Sequence, residues 1–183
     1  METKISHKLH RVIGDIINEK MFPACKILKD PACGGRHIIP LFCSRKTSNA
    51  TEYCNVDLLM LVSDTVKVII EIEESGVKPT QIFGKFLASA LSRCYFHKSD
   101  SKNPISMGDS VLFIQILDTS DFKEGSSKIL QWKNIETSIR AIISLRGSRI
   151  IDYQHIYGSP EDFLFNKEKQ KALIEHIKEF IRR

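Results

Sequence analysis

The sequence predicts an α/β domain, a central mixed sheet of four to five strands flanked by helices. Three observations carry that prediction. Stretches with apolar residues at helical spacing alternate along the chain with short Val- and Ile-rich runs. Two of those runs, Asn55–Val62 and Val66–Glu73, are separated only by Ser63-Asp64-Thr65, the pattern of an antiparallel hairpin. A third, Ser110–Thr119, is nearly continuously apolar, as expected of a strand covered on both faces.

The remaining elements follow in chain order. Ile5, Leu9, Val12, Ile13, Ile16 and Ile17 form one apolar stripe and predict a helix from about Ile5 to Met21, ended by Pro23. Residues 23–36, with Pro23, Pro31, Gly34 and Gly35, read as loop. A short strand is expected near His37–Cys43, followed by a polar loop over residues 44–52. After the hairpin, Pro79 suits the first turn of a helix whose stripe (Ile82, Phe86, Ala90, Cys94, Tyr95) runs to about Tyr95. Residues 98–109 read as loop. A helix over about Ser127–Leu145, a further strand over Arg149–Tyr157 and a last helix from Pro160 or Lys167 to Ile181 complete the order. Ser159-Pro160-Glu161-Asp162 has the form of a helix start.

The chain has 183 residues, enough for one domain with a substantial core. Its net charge of +5 is compatible with a polyanionic partner without requiring one. No apolar run approaches the roughly 20 residues of a membrane span, so no membrane partner is expected. The opening Met1-Glu2-Thr3-Lys4 leads into an amphipathic helix and not a secretory signal, so the expectation is a cytoplasmic protein. GxxxxGK[ST], GxGxxG and GxSxG are absent, which predicts no nucleotide cofactor and no serine-hydrolase elbow. Of the five cysteines, Cys25, Cys33 and Cys43 together with His37 lie close enough in sequence to gather zinc, although their spacing matches no zinc module; free thiols are the competing reading.

The chemistry concentrates in the hairpin. Strand residues alternate between faces, so Glu71 and Glu73 share a face while Val68, Ile70 and Ile72 take the other. Asp57, at the start of the preceding strand, lies across from about Ile72, and a small register shift or bulge places it beside Glu71 or Glu73. Three such carboxylates repel one another, and a hard divalent cation, Mg²⁺ or Mn²⁺, relieves the repulsion. A cation held there binds a phosphodiester oxygen and activates a water, with Glu73 helping to bind the metal or orient that water. Solvated acids at strand ends are the competing reading.

Asp57, thirteen intervening residues, then Glu71-Ile72-Glu73 ending an apolar strand ahead of a helix resembles the PD-(D/E)XK nuclease superfamily. The resemblance covers the element order of residues 5–119. It implies a restriction-endonuclease-like three-layer core, with 120–183 as a C-terminal helical extension of a single domain. It also implies a Mg²⁺-dependent endonuclease of restriction or repair type acting on DNA, with Asp57, Glu71, Glu73 and the Ile72 backbone carbonyl around the metal. Two positions depart from the family pattern: Val56 stands where the motif has Pro, and Glu73 stands where it has Lys. Some members are similar in carrying the lysine on the next helix, which makes Lys85 a candidate and Gln81, four residues earlier, a possible helper. A first-helix acid often completes such sites, and Asp15 or Glu19 is available.

DNA as partner requires basic residues along the phosphates, and Arg36, Arg45, Lys46, Lys78, Lys85 and Arg93 flank the hairpin. The small size favours a homodimer as the means of cutting both strands. Trp132 and Tyr153 read as packing residues. The alternative function is a catalytically inactive domain of the same fold, serving as a nucleic-acid or protein interaction module.

Overall fold

The computed structural model describes residues 7–183 other than 75, 101, 124, 144 and 145. Ile5 and Leu145, the expected limits of the first and third helices, lie outside the described residues. In chain order the elements are α1 (Lys8–Ile16), β1 (Lys26–Lys29), β2 (Ile39–Phe42), β3 (Glu52–Val56), β4 (Leu58–Val62), β5 (Thr65–Glu73), α2 (Pro79–Leu91), β6 (Cys94–Tyr95), β7 (Ile105–Leu117), α3 (Lys128–Ile142), β8 (Ile150–Tyr157), α4 (Pro160–Phe165) and α5 (Lys167–Arg182). The fold is α/β, a mixed sheet with helices on both faces.

Among the described residues the sheet has eight strands rather than four or five, in the order β1-β4-β5-β7-β6-β2-β3, with β8 pairing β7. The added strands are short. Lys26–Lys29, in a segment expected to be loop, pairs antiparallel with β4. Cys94–Tyr95, expected as the end of a helix, pairs with β2 and β7 instead. α2 stops at Leu91 because Ser92 turns extended and Arg93 donates its N–H to the Phe42 carbonyl at 2.7 Å. The expected strand Asn55–Val62 is broken at Asp57 into β3 and β4, which pair with different neighbours. α1 ends well before Met21, because the Asn18 side chain accepts the N–H groups of Lys20 and Met21.

Parallel pairing of β5 with β7 and of β7 with β8 puts three apolar strands side by side at the centre. Alternation then divides their side chains between two cores. Val68, Ile70, Ile72, Leu112, Ile114 and Ile116 pack against α1, α4 and α5 through Leu9, Ile13, Phe163, Leu173 and Ile177. Ile69, Phe113 and Tyr153 pack against α2 and α3 through Ile82, Phe86, Trp132, Ile135 and Ile139. Trp132 and Tyr153 are buried packing residues, as expected. The segment after residue 119 supplies β8 to the sheet as well as helices to both faces.

The hairpin turn sets the register of the site. Ser63 and Asp64 both have positive φ, 48° and 57°, which forms a two-residue left-handed turn between paired Val62 and Thr65. The register shifts once, between Met60 and Leu61, so that Lys67 bulges and Leu58 faces Ile70. One step further along, the neighbours are Asp57 and Glu71. The bulge is therefore what brings these two carboxylates level.

Candidate functional site

β5 carries the acids into the core. Glu71 and Glu73 follow Ile69 on the face toward α2 and α3, and both are buried, Glu71 completely. Asp57 sits at the break between β3 and β4, where its Oδ2 accepts the Ile72 backbone N–H at 2.7 Å. Ile72 thus contributes its amide to holding Asp57.

The cation among these acids is Lys85. α2 lies over this face of the sheet, fixed by buried Ile82 and Phe86, and projects Lys85 Nζ to 2.9 Å from Glu71 Oε2, 3.0 Å from Glu73 Oε1 and 3.9 Å from Asp57 Oδ2. Burial pushes Glu71 well above the ordinary carboxylate range; the Asp57 charge adds to this and Lys85 only partly offsets it. Burial also raises Glu73, against the attraction of Lys85. For Asp57 burial is outweighed by His10, Lys85 and the Ile72 amide, and the group lies below its usual value. Burial disfavours the charge on Lys85, but Glu71, Asp57 and Glu73 together raise it above its usual value.

Gln81 does not join the group. It is exposed, and its Oε1 accepts the Lys78 N–H at 2.8 Å at the start of α2. Asp15 and Glu19 are also exposed and remote from these contacts. The first helix contributes His10 instead, a residue that sequence reasoning missed. Its Nε2 lies 3.6 Å from Asp57 Oδ2 and its Nδ1 3.0 Å from Glu74 Oε1. The available signal was a histidine interrupting the apolar stripe between Leu9 and Val12.

A second missed residue is Gln115, the neighbour of Glu71 on β7, with His155 next to it on β8. Register places Glu71, Gln115 and His155 in one row on one face. Gln115 is fully buried; its Oε1 is hydrogen-bonded by the Tyr153 hydroxyl, and its Nε2 has no partner. Glu71 Oε1, on the adjacent strand, is also buried without a partner.

Of the six basic candidates, only Lys85 reaches the acids among the described residues. Arg45 donates to Ser106 Oγ at 2.9 Å, while Arg36, Lys46, Lys78 and Arg93 are exposed or lie at the rim of the sheet. Arg36 and His37 line a cavity of about 450 Å³ beside β1 and β2 that contains none of the three acids. Cys25, Cys33, His37 and Cys43 do not gather among the described residues. Cys25 and Cys33 are buried with α1, and His37 stacks on His97 at 4.7 Å.

The residues present suit a hard divalent cation in donor chemistry. Asp57 and Glu71 are oxygen donors on adjacent strands, and Glu71 Oε1 is a buried acceptor with no partner. Among the described residues the three carboxylates do not lie within 4.8 Å of one another as a set; they meet at the Lys85 ammonium. No family model, curated protein or solved structure matches the chain.

Proposed function

We propose that the chain is a metal-dependent phosphodiesterase with a restriction-endonuclease-like core, acting as a DNA endonuclease of restriction or repair type. The observation that supports this reading is the convergence of Asp57, Glu71 and Glu73 on Lys85, with Glu71 Oε1 buried and unpartnered. Asp57 and Glu71, with the Ile72 carbonyl, would hold Mg²⁺ or Mn²⁺, with Glu73 as a further donor. When bound, the cation supplies charge neutralisation at the phosphate and an activated water. Lys85 is one-third exposed and, among the described residues, is the cation placed to meet a phosphate oxygen at that point. Glu73, standing where the motif has Lys, holds the Lys85 ammonium, so the positive charge is restored from the helix. Arg36, Arg45, Lys46, Lys78 and Arg93 are candidates for contacts along the DNA backbone, and a homodimer is the proposed means of cutting both strands.

The test is cleavage of supercoiled plasmid with Mg²⁺, Mn²⁺ or EDTA, comparing the parent with Glu71→Gln. Nicking that requires a divalent cation and falls by about 100-fold or more in the variant supports the reading.

One observation favours the alternative, a catalytically inactive interaction module. Lys85 already acts as an internal counter-ion to the three acids. On that reading DNA or a protein binds with no dependence on divalent cations, and no nicking occurs.

A further inference from the structure

We propose that His7, His10 and Glu74 form a binding site for one transition-metal ion of the zinc class, distinct from the acids around Lys85. His7, with φ 71°, is the left-handed residue just before α1 and His10 lies in its first turn; their rings meet edge to face with centroids 5.1 Å apart. Glu74 follows directly after β5. Its Oε1 is fixed by the His10 backbone N–H at 2.9 Å and lies 3.0 Å from His10 Nδ1. One donor atom from each of the three residues lies within 4.8 Å of the others, and no other set of three or more His, Cys, Asp or Glu residues does so among the described residues.

Three features make this a metal site and not only an ion pair. The His10–Glu74 contact is complete without His7, yet His7 brings a third donor to the same point. The donor set, two imidazoles and one carboxylate, is the type used for zinc with a coordination position left open, and exposed His7 leaves that position accessible. Imidazole donors also select zinc, nickel or cobalt over magnesium. Finally, the far nitrogen of His10, Nε2, faces Asp57 Oδ2 at 3.6 Å. A carboxylate behind the ligating histidine orients the ring and raises its basicity, a recurring feature of protein zinc sites. An ion there ties α1 to the end of β5 and, through His10, steadies Asp57. The site does not depend on the phosphodiesterase reading: none of its ligands contacts Lys85, and its one link to that group is the His10 contact with Asp57.

The experiment is a Zn²⁺ titration by calorimetry of the full chain after chelator treatment and dialysis, with Co²⁺ as a spectroscopic probe. One equivalent should bind, and His7→Ala, at an exposed position, should weaken it by about tenfold or more. Glu74→Gln should do the same, while His97→Ala and Glu71→Gln should leave affinity unchanged. The proposal is overturned if no ion binds, if His7→Ala binds as the parent does, or if the cobalt spectrum shows thiolate ligation, which would place the ion on cysteines. Loss of binding in Glu71→Gln with His7→Ala unaffected would assign the ion to the acids around Lys85 and likewise sink it.

Discussion

Two polar clusters lie on the same face of the same sheet, and they differ in kind. On β7 and β8, Gln115, Tyr153 and His155 close on one another. The Tyr153 hydroxyl bonds Gln115 and His155, and His155 Nδ1 faces the Trp132 carbonyl at 3.2 Å. On β5 and at the β3–β4 break, three carboxylates face a single ammonium, and buried Glu71 Oε1 is left over. The first cluster is neutral and largely satisfied, as expected of a network that fixes a core. The second sets three carboxyl groups against one ammonium in a desolvated place, and burial holds Glu71 and Glu73 above the ordinary carboxylate range. Such a surplus raises the energy of the folded chain unless something from outside neutralises it. On the proposed reading, the contrast separates a cluster that serves the fold from one that takes up a cation.

The largest effect that tests this contrast is at Lys85. Lys85→Met leaves buried carboxylates without their counter-ion and should lower unfolding stability by about 3 kcal/mol or more in urea denaturation. Added Mn²⁺ should recover part of that loss, because an ion that binds only the folded state stabilises it. A cost under 1 kcal/mol would mean that the acids are already neutral and would remove the contrast.

The next effect is pH dependence at His155. Burial lowers this imidazole to about 4, against an ordinary value of 6.5. Below about pH 6.5 the unfolded chain takes up a proton that the folded chain refuses. Stability should therefore fall as pH drops from about 6.5 to 4, by at most about 3 kcal/mol. His10 works in the opposite sense. Burial lowers it, but Asp57 and Glu74 outweigh burial and raise it, so its contribution is present at low pH and lost as pH rises through its folded value. The difference between the parent and His155→Gln across a pH series of urea unfolding isolates the His155 part. A pH-independent difference would show that His155 is not held neutral.

The smallest effect is at Tyr153. Tyr153→Phe leaves Gln115 and His155 each short of a partner and should cost about 1–3 kcal/mol. Because this cluster is not a cation site, the cost should be the same with and without Mn²⁺.

The parts legible in the sequence were those with a period or a fixed spacing. The β4–β5 hairpin was readable because two β-rich runs flank a turn of the right length, and the Asp57, Glu71 and Glu73 pattern came with it. Lys85 was readable because helical spacing turns it away from Ile82 and Phe86. β1 was not, since Lys26-Ile27-Leu28-Lys29 is too short to show alternation and becomes a strand only by pairing with β4. β6 was hidden because Cys94 and Tyr95 continue the apolar stripe of α2, and pairing with β2 and β7 overrides that local preference. Gln115 lay inside an apolar run, where one polar residue was the only signal. His10 gave less still, because its partners Asp57 and Glu74 lie far away along the chain. The zinc reading of Cys25, Cys33, His37 and Cys43 failed because closeness in sequence does not bring side chains to one point when two of them are buried under α1.

The central claim is that the acids around Lys85 need a divalent cation in order to act on a phosphodiester. The most direct measurement is plasmid nicking by the parent chain during Mn²⁺ titration, beside Glu71→Gln at equal concentration and with folding verified. The account predicts nicking that rises with Mn²⁺, stops with EDTA and is lost in Glu71→Gln. Nicking that persists in Glu71→Gln, or a folded parent that never nicks at any Mn²⁺ concentration, would contradict it.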